Sequence, residues 1–323
     1  MSNKLLGLDI GGTKCSVIYG EDVNGEITVR DKIKFPTKNV KETIDLMFDS
    51  LREIMARNTL SKDDVSAIGI SCGGPLDSRK GVIMSPPNLP GWDNIHIVEE
   101  LEKEFGIKAA IQNDANACAL AEWKYGAGKG TSNMVFLTFG TGLGAGLIID
   151  GKLYSGTNDN AGEVGHTRLS DFGPVGYGKA GSFEGFCSGG GIAQLAKILV
   201  KEKLQTGEKP AICPDDSQLD SLTAKKVAEY ADAGDELALE VCRISGEYLG
   251  RGLSAIIDIL NPERIVIGSI YERSGHLFKK HMEDVIVKEA LPGAAKVCSV
   301  VPARLGDSIG DIAALSVAAT TSN

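Results

Sequence analysis

Among the carboxylates in this sequence, Asp114 is the one whose neighbouring residues most strongly indicate a chemical role. It follows the apolar, β-prone residues 109–111 and precedes residues 115–125, whose composition is typical of a helix, so we predict a strand-to-helix corner. An Asp at such a corner can cap the helix and accept bonds from its free backbone N–H groups, which is a purely structural role. In an open α/β sheet the same corner faces the crevice where ligands bind, so a chemical role is equally open.

Two Gly-rich turns have the composition of phosphate-binding loops. The first is Gly11-Gly12-Thr13-Lys14, after the apolar run 4–10, and the second is Gly140-Thr141-Gly142-Leu143-Gly144, after the run 134–139. Glycine lets the main chain approach an anion closely, and consecutive backbone N–H groups form an anion-binding nest. One such turn is weak evidence because Gly-Gly hairpins are common. Two in equivalent positions predict opposed hairpins that clamp a polyphosphate.

Two familiar nucleotide motifs are excluded. The P-loop pattern G-x-x-x-x-G-K-[ST] does not occur in the chain. The alternating glycines from Gly140 to Gly146 are spaced like a dinucleotide fingerprint, but that fingerprint needs a helix after the turn, and here a second strand follows. The turns therefore indicate hairpins and not a Rossmann fold.

The elements that position these turns occur twice. Strand, Gly/Thr turn, strand, tight turn and strand are found near residues 5–30 and again near 134–155. We interpret this repeat as an internal duplication that builds two lobes. Apolar periodicity predicts further strands at 65–71, 265–267 (followed by a small-residue turn at 268–269) and 299–301, and helices at 41–57, 97–105, 115–125, 188–200, 224–233, 236–258 and 310–319. Residues 156–187 lack periodicity and predict a long functional loop or a poorly ordered insert.

Composition and charge narrow the class of protein. The 323 residues suggest two domains, and the net charge of −9 disfavours a nucleic-acid or anionic-membrane binder, which needs a basic face. The seven cysteines are dispersed without a C-x-x-C pair, which indicates reduced thiols and predicts a cytoplasmic protein. Gly7 and Asp9 interrupt the N-terminal apolar run, so we expect no signal peptide, and no apolar run approaches the length of a membrane span.

These motifs together carry a resemblance to a known family. Asp9-Ile10-Gly11-Gly12-Thr13-Lys14 and the run 139–146 resemble the two phosphate motifs of the actin-like sugar kinases. The chain resembles, more narrowly, the ROK family (repressors, open reading frames and kinases) on its glucokinase-like side. The further motifs that carry this resemblance are Asn88-Leu89-Pro90-Gly91-Trp92, Asn113-Asp114-Ala115-Asn116-Ala117 and Gly162-Glu163-Val164-Gly165-His166. The resemblance covers essentially the whole chain.

The resemblance implies an α/β fold of two ribonuclease-H-like (actin-like) lobes with a cleft between them. The N-terminal lobe would comprise residues 1–117, joined by a C-terminal helix at 306–323, and the C-terminal lobe residues 118–305. ATP and Mg²⁺ are the implied cofactors. The implied ATP-binding residues are Asp9, Gly11, Gly12, Thr13, Lys14, Gly140, Thr141, Gly142, Gly144 and Gly268. Asp9 would hold Mg²⁺ directly or through water, unless it only caps its turn, and Lys14 is equally well a solvated hairpin residue.

By the same resemblance, Asp114 is the general base that takes the proton of the sugar's primary hydroxyl as it attacks the γ-phosphate of ATP. The implied sugar-binding residues are Gly74, Asn88, Asn113, Asp114, Glu163, His166 and Glu184. Amide, carboxylate and imidazole groups suit sugar hydroxyls because each of them can accept a hydrogen bond. The alternative for Asn113 is a bond to local backbone. The predicted activity is ATP-dependent phosphorylation of a hexose at its 6-hydroxyl, with glucose as the first candidate.

Other functions stay open at this point. The substrate could instead be fructose, allose, mannose, N-acetylglucosamine or N-acetylmannosamine, which differ by one hydroxyl or an acetamido group. The chain could also be a catalytically inactive sugar sensor. A sugar-responsive repressor is disfavoured, because such relatives carry a helix-turn-helix domain ahead of the first hairpin and we expect no room for one before Asp9. We expect a homo-oligomer, either a dimer or a tetramer, with a small-molecule sugar and ATP as partners and neither nucleic acid nor membrane.

The chain departs from the family in the loop after His166. Relatives there typically have C-x-C-G-x-x-G-C-x-E, three thiolates that bind zinc together with a His. Here Val175, Tyr177 and Ser182 occupy the three Cys positions, while the two glycines and Glu184 are retained. One His without thiolates cannot form a tetrahedral structural zinc site, so we predict no zinc. We predict instead that packing of Tyr177 and Phe183 holds this loop.

Overall fold

The computed structural model describes residues 2–321. Its strands are β1 (Ser2–Ile10), β2 (Lys14–Val23), β3 (Glu26–Pro36), β4 (Val65–Cys72), β5 (Leu76–Asp77), β6 (Val82–Ile83), β7 (Ala109–Asn113), β8 (Met134–Phe139), β9 (Leu143–Ile149), β10 (Lys152–Tyr154), β11 (Val175–Gly176), β12 (Lys179–Ala180), β13 (Arg264–Ile267) and β14 (Ser299–Pro302). Its α-helices are α1 (Val40–Arg57), α2 (Ile97–Phe105), α3 (Asp114–Tyr125), α4 (Phe183–Phe186), α5 (Gly189–Gln205), α6 (Ala224–Asp232), α7 (Glu236–Leu260), α8 (Ile270–Glu289), α9 (Pro292–Ala295) and α10 (Ile309–Thr321).

The first large sheet has the strand order β3-β2-β1-β4-β7. Strands β1, β2 and β3 pair antiparallel, whereas β4 runs parallel to β1 and β7 parallel to β4. Ile10 is in register with Cys72, and Cys72 with Asn113, so the C-terminal ends of β1, β4 and β7 lie side by side along one edge of the sheet. The residues that follow these strands, which are the first Gly/Thr turn, Gly73 and Asp114, therefore lie along that edge.

The second large sheet has the order β10-β9-β8-β13-β14, which repeats the order of the first. Strands β8, β13 and β14 are parallel, and β9 pairs antiparallel with β10. Here too a Gly/Thr turn follows the first strand of the repeated unit, between β8 and β9. The α/β class and the duplicated supersecondary unit predicted from the sequence are confirmed.

The chain divides into two compact units. The first unit comprises Met1–Thr131, Gly146–Ala161 and Arg304–Asn323, and the second unit comprises Ser132–Ala145 and Gly162–Ala303. Neither unit is continuous in sequence, and their limits differ from the lobes 1–117 and 118–305, which stay a prediction. Across residues 2–321, every helix is too short or too polar to serve as a membrane span.

Helix α10 packs closely on one face of the first sheet because a glycine in β4 leaves room for its main chain. A methyl group at Gly69 would lie 2.1 Å from the carbonyl oxygen of Ala314 in α10. Side chains of β1 alternate between the two faces. Leu5 belongs to the apolar cluster that includes α10, and Leu6 to the larger cluster that includes α1 and α2. This packing fixes the start of α10 near the end of β1.

Most predicted elements form, and the differences have physical causes. Helix α8 was not predicted, and it contains one kink, at Ser274, which has a non-helical φ of −130° and ψ of 19°. Strands β2 and β3 are longer than predicted because they pair with each other from the tight turn to Pro36. The segment 156–187 is neither a plain loop nor an unstructured insert, since it contains β11, β12 and α4.

Candidate active site

The first Gly/Thr turn packs against the loop that holds Asn88. A methyl group at Gly12 would lie 2.3 Å from the carbonyl oxygen of Asn88, so only glycine fits at this position. A methyl group at Gly73 would lie 3.1 Å from the side-chain oxygen of Asn88, whereas the space around Gly74 is open. The structure thus brings Asn88, which was predicted to shape the sugar pocket, to the first predicted phosphate turn, whereas Gly74 faces open space.

Asp9 is the penultimate residue of β1 and lies in a partly buried and strongly charged environment. A methyl group at Gly310, in the first turn of α10, would lie 3.4 Å from Oδ2 of Asp9. The neighbouring Asp311 forms an ion pair with Lys32. Burial raises the pKa of Asp9, the negative charges of Asp311 and Asp114 raise it further, and Lys32 opposes the shift. This excess of negative charge favours the binding of a cation.

Sequence reasoning missed Lys32 and Asp311 as neighbours of Asp9. The two residues are 279 positions apart in the chain, so no local pattern connects them. One signal was present, since Asp311 is the single charged residue in the Ala-rich closing helix α10. A charge in an otherwise apolar, buried helix generally has a partner.

The strand-to-helix corner forms as predicted, but Asn113 caps the helix and Asp114 does not. Asn113 is the N-cap of α3, and its Oδ1 accepts a hydrogen bond from the Asn116 N–H at 2.7 Å. The local backbone bond considered as the alternative for Asn113 is therefore present. Asp114 is the first residue of the helix, and its Oδ1 accepts from the Ala115 N–H at 2.8 Å.

The carboxylate of Asp114 is accessible to solvent while protein atoms restrict its hydration. Its side chain is exposed. The protein atoms around the carboxyl group nevertheless desolvate it and raise the pKa of Asp114 above the ordinary value for Asp, and the hydrogen bond from the Ala115 N–H offsets this only in part. A reachable carboxylate with a raised pKa is well suited to accept a proton from a hydroxyl group.

In the second unit, the base of the second Gly/Thr turn is fixed by main-chain hydrogen bonds. The Gly140 N–H donates to the Gly142 carbonyl at 3.1 Å, and the Gly189 N–H at the start of α5 donates to the Gly140 carbonyl at 2.7 Å. Thr141 at the tip of the turn is exposed. The turn therefore offers its tip to a ligand while its base is held in place.

Gly268 and Ser269 follow β13 beside this second turn. The Gly268 N–H donates to the Leu137 carbonyl at 3.0 Å, and Oγ of Ser269 would lie 3.5 Å from a methyl group at Gly140. Ser269 has a φ of 57° and a ψ of −110°, a conformation that is strained for a non-glycine residue. Ser269 therefore has a backbone conformation that favours glycine.

The remaining predicted sugar ligands all lie in the second unit. Glu184 Oε2 accepts a hydrogen bond from the Leu143 N–H at 3.0 Å, so this carboxylate contacts the second Gly/Thr turn. Glu163 and His166 lie at either end of a short 3₁₀ segment, Val164–His166 and its cap, and both side chains are exposed. The His166 N–H donates to the Glu163 carbonyl at 3.2 Å.

Buried residues next to Glu184 hold the loop that lacks the family cysteines. Phe183 is buried, and a methyl group at Gly252 of α7 would lie 2.3 Å from its ring. Ser182, at one of the Cys positions, is fully buried, and its Oγ accepts from the Gly185 N–H at 3.0 Å. The packing predicted for Phe183 is present, whereas Tyr177 is 79% exposed and does not support the loop by burial.

The two large sheets have the same strand order, and a Gly/Thr turn follows β1 in one and β8 in the other. This arrangement defines an α/β protein of the actin-like class. Residues 5–321 match the family model described as "ROK family", and the chain belongs to that family. The resemblance predicted from the motifs is thereby confirmed.

Similar proteins include kinases and repressors. The chain is 34% identical over 313 residues to a glucokinase of Halalkalibacterium halodurans, covering 95% of this chain and 92% of the relative. It is 30% identical over 288 residues to a xylose repressor of Caldicellulosiruptor bescii, covering 87% of this chain and 69% of the relative. Among solved structures, a ROK family glucokinase from Streptomyces griseus in complex with glucose and AMPPNP matches with a TM-score of 0.74 and 26% identity, over 98% of this chain and 100% of that chain.

Proposed function

We propose that this chain is an ATP-dependent sugar kinase that phosphorylates the 6-hydroxyl of a hexose, with glucose as the preferred substrate. The observation that carries the proposal is the position of Asp114. Its carboxylate has a raised pKa and follows β7 at the same sheet edge at which β1 leads into the first Gly/Thr turn. A proton acceptor and a phosphate-binding turn on one edge are the two parts that phosphoryl transfer to a hydroxyl needs.

In this mechanism Asp114 accepts the proton of the sugar's primary hydroxyl, and the sugar oxygen attacks the γ-phosphate of ATP. A positioned general base is worth about 10²–10⁴ in rate, and orientation of the two substrates supplies much of the remainder. The base must be ionised to act. Because burial raises the pKa of Asp114, we expect the acidic limb of the pH–rate profile above the ordinary range of an Asp.

The charges around Asp9 fit a magnesium ion shared with ATP. Within residues 2–321, no group of three or more His, Cys, Asp or Glu side chains is arranged to hold a metal ion alone. Mg²⁺ usually binds through one or two carboxylates, water and substrate phosphates, which suits the single partly buried carboxylate of Asp9 with Asp311 nearby. Asp9 would hold the ion directly or through water, and the ion would neutralise charge on the phosphates.

The two Gly/Thr turns would hold the phosphates through their backbone N–H groups, Thr13 and Thr141, with Lys14 as a point charge. Gly268 would lie on the adenosine side. The sugar would be bound by Asn88, Asn113, Glu163, His166 and Glu184, with Gly74 leaving space beside the ring. Several acceptors around one ring explain how hydroxyls are distinguished, because an unpaired acceptor in the site penalises the wrong sugar.

The xylose repressor relative supports a second candidate function, a sugar sensor without kinase activity. Both candidates retain sugar binding, and they differ in whether phosphate is transferred. We favour the kinase because a raised pKa suits a proton acceptor, and Asp114 follows β7 at the sheet edge where β1 leads into the first Gly/Thr turn. We further propose a cytoplasmic homo-oligomer, either a dimer or a tetramer, that contains no zinc. Light scattering of the purified protein would test the oligomeric state, and metal analysis would test for zinc.

The test is mass spectrometry of products from ATP, Mg²⁺ and a panel of glucose, mannose, fructose, allose, N-acetylglucosamine and N-acetylmannosamine. Wild-type protein should form glucose 6-phosphate, and Asp114→Asn should lose on the order of 10²-fold or more in kcat. Asp45→Asn, an exposed Asp on α1, is the matched control and should retain activity. Turnover of an acetamido sugar alone would correct the substrate. Sugar binding without any turnover would favour the sensor.

A further inference from the structure

The hairpin β11–β12 is closed by Tyr177 and Gly178 at its tip. Val175 pairs with Ala180 and Gly176 with Lys179, so the connection has two residues. Both have positive φ, 44° for Tyr177 and 74° for Gly178. Such turns favour Asn-Gly, because a bulky side chain at positive φ is strained. The chain therefore keeps a tyrosine where the backbone favours asparagine, and an outlier of this kind invites a functional explanation.

The tyrosine ring is not there to fill a core. Tyr177 is 79% exposed, so its ring gains little from burial. Its ring lies 5.9 Å from that of His166, centroid to centroid, with the planes at 73°. This is the edge-to-face arrangement that aromatic rings prefer. The strained tip of the hairpin thus places an aromatic ring in edge-to-face contact with one predicted sugar ligand.

The same hairpin also holds the main chain of His166. Lys179 Nζ donates to the His166 carbonyl at 2.7 Å, and Arg168 Nη1 donates to the Ala180 carbonyl at 2.7 Å. On the other side, a methyl group at Gly165 would lie 2.0 Å from the Leu143 carbonyl, so the segment before His166 lies tightly against β9. The backbone of His166 is therefore fixed, and the orientation of its imidazole is the remaining freedom.

We propose that Tyr177 is a positioning residue for His166, which holds the imidazole in the orientation that bonds a sugar hydroxyl. The inference rests on the proposed function, because it assigns His166 to the sugar. Tyr177 itself does not contact the reacting atoms. When the Tyr177 ring restricts the His166 side chain before sugar binds, less conformational entropy is lost on binding. Removal of the ring should therefore weaken sugar binding by about three- to tenfold.

The decisive variant is Tyr177→Asn, because asparagine tolerates positive φ and keeps the turn. We expect its KM for sugar to rise by about three- to tenfold, with kcat and the KM for ATP changed by less than about twofold and Tm equal or higher. Tyr177→Phe keeps the ring and should behave like wild type. Phe172→Ala is the matched control, since Phe172 is an 84% exposed aromatic residue of the same loop.

A double-mutant cycle separates this role from general loop support. In a His166→Ala background, Tyr177→Asn should raise the KM for sugar no further, because the ring acts through the imidazole. An unchanged KM in the single variant, or a further rise in the double variant, would overturn the proposal. If wild type binds sugar without turnover, only the kinase assignment fails, and the sugar Kd from calorimetry replaces KM in the same cycle. If wild type binds no sugar, both proposals fail.

Discussion

The carboxylate of Glu184 accepts a hydrogen bond from the backbone N–H of Leu143, with 3.0 Å between Oε2 and N. Leu143 belongs to the second Gly/Thr turn, and Glu184 to the loop whose residues we propose to bind sugar. A methyl group at Gly142 would lie 2.8 Å from the same oxygen, so the turn and the carboxylate are in close contact. A single side chain therefore connects the proposed phosphate-binding turn to the proposed sugar site.

Glu184→Gln should impair both substrates for this reason. The amide of Gln can still accept this hydrogen bond, but a bond to a charged acceptor is about 1 kcal/mol stronger, so we expect the KM for sugar and for ATP each to rise by roughly fivefold. His166→Ala is the comparison variant, because we propose a role for His166 in the sugar site only, so this variant should affect the KM for sugar alone. Steady-state kinetics with each substrate varied would check this. A rise confined to sugar would contradict the coupling.

Asp114→Asn should stabilise the protein at neutral pH. The pKa of Asp114 is raised in the folded state, so its contribution to stability is present below the unfolded-state pKa and is lost as pH rises through the folded value. At pH 7 the ionised carboxylate of Asp114 therefore lowers the free energy of unfolding, whereas the uncharged amide of the Asn variant does not. Urea unfolding at pH 7 should show a higher midpoint for the variant. The difference should vanish below about pH 4, where Asp is protonated in both states.

Gly69→Ala should destabilise the first unit. The added methyl group would lie 2.1 Å from the carbonyl oxygen of Ala314, and because both atoms belong to packed main chain, α10 would have to move. Overpacking of this kind costs about 1–3 kcal/mol of unfolding free energy. Gly293→Ala is the control, since a methyl group there meets no atom within 4 Å. Equal melting temperatures of the two variants would show that α10 can shift without penalty.

Glu122→Gln should also be destabilising, because the Glu122 side chain is fully buried and its carboxylate accepts three backbone bonds. Oε1 accepts from the N–H groups of Arg304 and Leu305, each at 2.9 Å, and Oε2 from the Ala127 N–H at 2.6 Å. An amide must turn an N–H₂ group toward one of these donors, which leaves that donor unsatisfied at a cost of about 1–3 kcal/mol. Thermal unfolding beside Glu53→Gln, an exposed helix position, would measure the difference.

Local patterns in the sequence were sufficient for the elements that carry the site. Helix Ile97–Phe105 and strand Met134–Phe139 have the limits that were predicted. Gly, Asn and Asp residues flank these apolar runs and mark where each element ends. The corner at Asp114 followed from the same kind of evidence, as did the two Gly/Thr turns. The exceptions include β11, β12 and α4 in the segment 156–187, and α8, which packs on α7.

The sequence by itself determined the α/β class, the duplicated unit, the family and the residue types available for phosphate and sugar, because each of these depends on short runs and their order. Only the tertiary structure decided which distant residues become neighbours. Asp311 reaches Lys32 and the end of β1 because α10 packs on glycines of the first sheet, and Glu184 reaches Leu143 because its loop folds back on the second turn. Contacts of this kind depend on how elements pack across long sequence separations, which local periodicity and turn chemistry do not encode.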